Sequence, residues 1–74
     1  MGRLRRLTAA DVEKILKRYG FELASQKGSH RKWRNTEMNL QVIVPYHKGK
    51  GLPLGTLRNI MTNANIPESE WKSE

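Results

Sequence analysis

The sequence predicts a single α+β domain in which a helix, a three-stranded antiparallel meander and a second helix follow in that order, with both helices on one face of the sheet. Two stretches with apolar residues at helical spacing flank three stretches of strand character, and turn residues separate the strands. With 74 residues the chain makes one domain, 1–74, whose structured core is expected over about 6–67.

Thr8 opens "TAADVEKILKRYG" as an N-cap, with Asp11 three residues on in a capping-box arrangement. Val12, Ile15, Leu16 and Tyr19 recur at i, i+3, i+4 and i+7, so all four are expected in the core, and Gly20 suits the C′ position. "FELASQK" (21–27) and "LQVIVP" (40–45) alternate as strands; "HRKWR" (30–34) lies between them with Trp33 as its one large apolar residue, and "NTEMN" (35–39) supplies the second turn.

Phe21, Leu23, Trp33, Leu40, Val42 and Val44 can all face the helices only if the first hairpin has an odd loop, because successive side chains alternate faces. A three-residue loop Lys27-Gly28-Ser29 satisfies this, with Gly28 taking φ > 0. His30, Lys32 and Arg34 then fall on the uncovered face, and Pro45 lies opposite His30. Leu54, Leu57, Ile60, Met61 and Ala64 have helical spacing between Pro53 and Pro67. Gly55, in the first turn of that helix, suits close packing or, less favoured, phosphate approach to the helix N-terminus. "ESEWKSE" is too short and charged for more than a frayed turn, with Trp71 available to fold back onto the core.

Fourteen Lys and Arg against seven Asp and Glu give a formal charge of +7, and no acid occurs between 26 and 36. One surface should therefore be strongly positive, which points to nucleic acid as partner. Cysteine is absent, which excludes thiol catalysis and disulfides. "MGRLRRL" lacks the apolar stretch of a signal peptide and no segment is long and apolar enough to span a bilayer, so a cytoplasmic protein without membrane partners is expected.

A metal-dependent nuclease needs several carboxylates or histidines converging on a cation. Near the basic stretch only Glu37 is available, and His30 and His47 lack a third ligand, so neither metal nor cofactor is expected. RNA offers a metal-free route, since its 2′-OH is the nucleophile and the protein need only move protons and stabilise charge. Histidine suits the proton steps, so His30 is a candidate, with Lys27, Lys32 and Arg34 as stabilisers of the phosphorane-like charge. From the residues alone, a surface or phosphate-contacting role for His30 stays open. His47 is either a second participant or a solvated loop residue, and Tyr46 either stacks on a base or covers the sheet edge.

The segments "GFELASQKGSHRKWRN", "VIVPYHKGKGLPLGTLRNIM" and "NANIP", in this order after a short helix, resemble the HicA family of toxin endoribonucleases over about residues 6–67. "KGSH" (27–30), "VP" with His47 shortly after it, and "GTLRNI" (55–60) are the most specific parts. The resemblance implies a double-stranded-RNA-binding-domain-like fold, mRNA cleavage, and a HicB-type antitoxin that covers the active site. It also implies that the histidine of Gly-Ser-His, here His30, is the catalytic acid/base. Gly28 and Ser29 then support the site, and Lys27, Arg31, Lys32, Arg34, His47 and Lys48 are the expected RNA contacts. Arg31 and Lys32 stand where the family often has a further histidine and an aliphatic residue, which makes this strand more basic. A non-catalytic RNA-binding module of the same fold is the alternative; a DNA-binding role lacks a helix-turn-helix.

Overall fold

A computed structural model describes residues 3, 4 and 6–73 of the protein. A two-residue strand, β1 (Arg3–Leu4), precedes the first helix, α1 (Ala9–Arg18), which starts as its sequence requires. Thr8 Oγ1 accepts from the Asp11 N–H at 3.1 Å, and Asp11 Oδ2 accepts from the Thr8 N–H at 3.0 Å, which closes the capping box. The helix ends in a Schellman arrangement, in which the Gly20 N–H donates to Lys17 O and the Phe21 N–H to Leu16 O, with Gly20 at φ +87°. Thr8→Ala should remove about 1 kcal/mol of stability. Thermal melts check this: for a domain this small the midpoint should fall by roughly 4–8 °C.

After α1 come β2 (Glu22–Lys27), β3 (His30–Asn35) and β4 (Leu40–Pro45), a meander of sheet order β2-β3-β4 with both pairings antiparallel. Helix α2 (Leu54–Ala64) follows, so the expected α-β-β-β-α order and its resemblance to double-stranded-RNA-binding domains are present. Trp33, Val42 and Val44 on one sheet face form a single buried cluster with Val12, Ile15 and Leu16 of α1 and Leu57, Ile60 and Ala64 of α2.

The first hairpin corrects the expected loop. Lys27 pairs with His30, so the loop is only Gly28-Ser29, with φ +61° at Gly28 and no positive φ at Ser29, as a type II′ turn requires. The odd residue is supplied inside β2 instead: Ser25 pairs with Lys32 and Leu23 with Trp33, leaving Ala24 as a β-bulge. An odd loop and a bulge satisfy parity equally well, so Trp33 still faces the helices and His30 still faces away. Ser25 is turned to the face of Lys32 rather than to that of Leu23.

Three apolar residues of the expected elements are exposed, two of them, Tyr19 and Leu23, expected to face the core. Tyr19 is the α1 C-cap, and the Glu70 carboxylate beside its hydroxyl raises the Tyr19 pKa. Leu23 sits on the outer strand of the sheet and Leu54 opens α2, and both are 42% exposed or more. Gly55 corrects the favoured packing role, because a Cβ built there meets no atom within 4 Å.

The C-terminal segment is more ordered than a frayed turn. A 3-10 turn at Glu68–Glu70 leads to fully buried Trp71, whose Nε1–H donates to Ile66 O at 3.4 Å. A last strand, β5 (Lys72–Ser73), then pairs antiparallel with β1, forming a separate two-stranded ribbon. Among the described residues no helix is long and apolar enough to cross a membrane.

Candidate active site

The Gly28-Ser29 turn is held from two sides. Gln26 Nε2 donates to Gly28 O at 3.0 Å, and the Tyr46 N–H donates to Ser29 O at 2.6 Å, tying the turn to the end of β4. Nothing lies within 4 Å of a Cβ placed on Gly28, so glycine is needed there for its left-handed φ and not for space. His30 follows as the first residue of β3, exposed, with Lys27 and Pro45 as its cross-strand partners.

Cross-strand partners share a face. Those of Lys32 are Ser25 and Ile43, and those of Arg34 are Glu22 and Gln41, so the face opposite the helices carries Lys27, His30, Lys32 and Arg34 around half-exposed Ile43. Glu22 is the carboxylate nearest in register, and it stands opposite Arg34, at the end remote from His30. Positive potential is therefore concentrated at the Lys27–His30–Lys32 end, where an anionic backbone gains most.

Beyond Pro45 the chain turns into the loop that carries His47 and Lys48, both exposed. The Lys50 N–H donates to His47 O at 3.1 Å and Gly49 takes φ +77°, which makes a tight turn. The loop then returns to the core through the Leu52 N–H, which donates to Leu7 O at 2.7 Å. His47 is thus two residues past Pro45, the partner of His30. Glu37 lies in the turn at the opposite end of β3. Among the described residues no three His, Cys, Asp or Glu side chains converge as a metal-binding group.

Arg31 is placed differently from the other basic residues. It alternates with His30 and Lys32 and so shares the helix face with Trp33. Its Nε lies 2.9 Å from Glu13 Oε2 of α1, and its guanidinium sits 4.8 Å from the centre of the Tyr46 ring. Buried Glu13 also accepts from Trp33 Nε1–H at 2.8 Å. The Nε–Oε2 distance is short but its direction is poor for a hydrogen bond, so the attraction is chiefly between charges. Glu13 was missing from the expected site. The signal was available, since Glu13 adjoins Val12 of the apolar stripe and strand parity already turns residue 31 toward the helices.

A cleft of about 600 Å³ between α1 and the outer strand β2 is lined in part by Lys17, Leu23, Arg31 and Trp33. His30 is not among its lining residues, and the Lys17 ammonium lies 5.7 Å from the Trp33 ring centre. The charged sheet face, not this cleft, brings the expected residues together.

A comparison with curated proteins gave no match. The sequence model of the family described as "HicA toxin of bacterial toxin-antitoxin" matches residues 9–66, from the first residue of α1 to just past α2. That match takes in the Gly-Ser-His turn, all three strands of the meander and the His47 loop. The chain therefore belongs to the HicA toxin family of bacterial toxin–antitoxin systems.

Proposed function

We propose that the protein is the toxin of a type II pair and acts as a metal-independent endoribonuclease on mRNA in the cytoplasm, with His30 as catalytic acid/base. The observation that supports this most is an exposed histidine fixed directly after a Gly-Ser turn, on an open face with Lys27 and Lys32 beside it. In the proposed step a base removes the 2′-hydroxyl proton and the 2′-oxygen bonds to the adjacent phosphorus. The bond from phosphorus to the 5′-oxygen breaks, and a proton passes to that oxygen. The products are a 2′,3′-cyclic phosphate and a 5′-hydroxyl end. His30 serves one of the two proton transfers, and His47 is the candidate for the other.

Lys27 and Lys32 stabilise the charge that builds on the phosphate, while Arg34 and Lys48 hold flanking phosphates. Arg31, paired with Glu13 on the helix side of the sheet, is not among these direct contacts. The antitoxin is of HicB type and inhibits by covering the sheet face that carries His30.

Incubating the purified protein with mRNA in EDTA tests the reading, and discrete fragments ending in 2′,3′-cyclic phosphate are expected. Binding without cutting would instead favour a non-catalytic RNA-binding module, and cutting only with added metal would contradict the mechanism. Lys32→Ala should weaken RNA binding evenly across sequences. It should lower the slope of log affinity against log salt by about 0.7, the value for one single-strand phosphate contact; a salt titration of binding measures both.

A further inference from the structure

We propose that Arg31 is a positioning residue for proton transfer at His30, an inference that rests on the reading of His30 as catalytic. Arg31 directly follows His30 and is anchored on the far side of the sheet, its Nε 2.9 Å from buried Glu13 Oε2 and its guanidinium over the Tyr46 ring at 4.8 Å. Tyr46 in turn holds Ser29, the residue before His30, through a 2.6 Å bond from its N–H to Ser29 O. The contacts close a ring through Ser29, His30, Arg31 and Tyr46, with Glu13 tying it to α1. Both chain neighbours of His30 are thereby fixed to Tyr46, and Tyr46 directly precedes His47.

Stability does not account for this arrangement. A buried ion pair gives back in desolvation much of what it gains in attraction, and an apolar pair of similar size does as well or better. Rigidity at a reacting centre is different, because a misplacement of about 1 Å can cost about 100-fold in rate.

The test compares wild type with Glu13→Gln/Arg31→Met, in which the new amide can still accept from the Trp33 indole, and with Tyr46→Leu. Single-turnover RNA cleavage is measured at saturating and at limiting protein. The maximal rate should fall by about 10-fold or more in each, with the half-saturating concentration and the melting transition little changed. Combining the three substitutions should cost no more than either change alone, since they break one unit. Should the double variant not fold, Tyr46→Leu keeps the Glu13–Arg31 pair and carries the same rate measurement. A loss confined to the half-saturating concentration would make Arg31 an RNA contact and overturn the proposal. So would losses that multiply or that only follow the folded fraction. Wild-type protein that never cuts removes both readings; wild type that cuts, His30→Ala that does not, and Arg31 variants at full rate remove this one alone.

Discussion

His30→Ala should lower the rate of RNA cleavage by about 10²–10⁴-fold, the usual contribution of a positioned acid or base. RNA affinity should remain nearly unchanged. The side chain is exposed at the first residue of β3, and His30 pairs with its neighbours through backbone, so removing the imidazole leaves the hairpin and its Lys27 and Lys32 charges in place. In the proposed binding mode the salt-dependent affinity comes from those lysines and from Arg34. Parallel cleavage and binding assays on one RNA separate the two quantities. Equal loss of both would mean that His30 holds RNA and does not move protons. In cells, induction without the antitoxin should arrest growth, and the same variant should relieve that arrest.

Trp33→Ala should have the largest effect on stability. Trp33 is fully buried between the sheet and α1, with Lys17 over its ring and its indole N–H bonded to Glu13. Truncating a buried tryptophan costs about 3–5 kcal/mol. A domain of this size has roughly 4–11 kcal/mol in total. The variant is therefore expected to lose a large share of its stability, whereas Trp33→Phe keeps most of the apolar contact and loses chiefly the hydrogen bond, about 1–3 kcal/mol. Urea denaturation followed by circular dichroism would rank the three proteins. A Trp33→Ala midpoint close to wild type would show that the core does not rest on this residue.

Much of the path from residues to site was legible because it depends on short-range rules. The Thr8–Asp11 box and Gly20 delimit α1 from within one helical turn, and the i, i+3, i+4 spacing places Val12, Ile15 and Leu16 without knowledge of the sheet. Strand parity placed His30 opposite Pro45 and put Lys32 and Arg34 on the open face. What escaped depends on choices that leave no local mark. Ala24 has no property that distinguishes a bulge from a longer loop, since either restores the same parity. The 3-10 turn and ribbon around Trp71 depend on pairing with Arg3–Leu4 at the other end of the chain, and so short a segment carries too little periodicity to reveal that. Strand parity turns Arg31 toward the helices, but its partner there, Glu13, lies on another element and is not singled out by that rule. Tyr19 and Leu23 show the limit of periodicity itself: they have the right spacing, but α1 ends and the outer strand runs beyond what the helices cover.

The family membership and the geometry bear on different parts of the account. Membership establishes a toxin of a toxin–antitoxin system. On the proposed reading the sheet face acts on RNA with few carboxylates: the substrate brings its own nucleophile, and the protein supplies a histidine, a turn held from two sides and positive charge. That division makes the 2′-hydroxyl the point at which the mechanism is most exposed to test.

The most direct measurement uses an RNA with one mapped cleavage site and the same RNA carrying a single 2′-deoxy nucleotide immediately 5′ to the scissile phosphate, both in EDTA. The mechanism predicts cutting of the first to a 2′,3′-cyclic phosphate and no cutting of the second at that position, with equal binding of both. Equal cleavage of the two would mean that water or another group attacks the phosphorus, and would rule out the 2′-hydroxyl as the nucleophile.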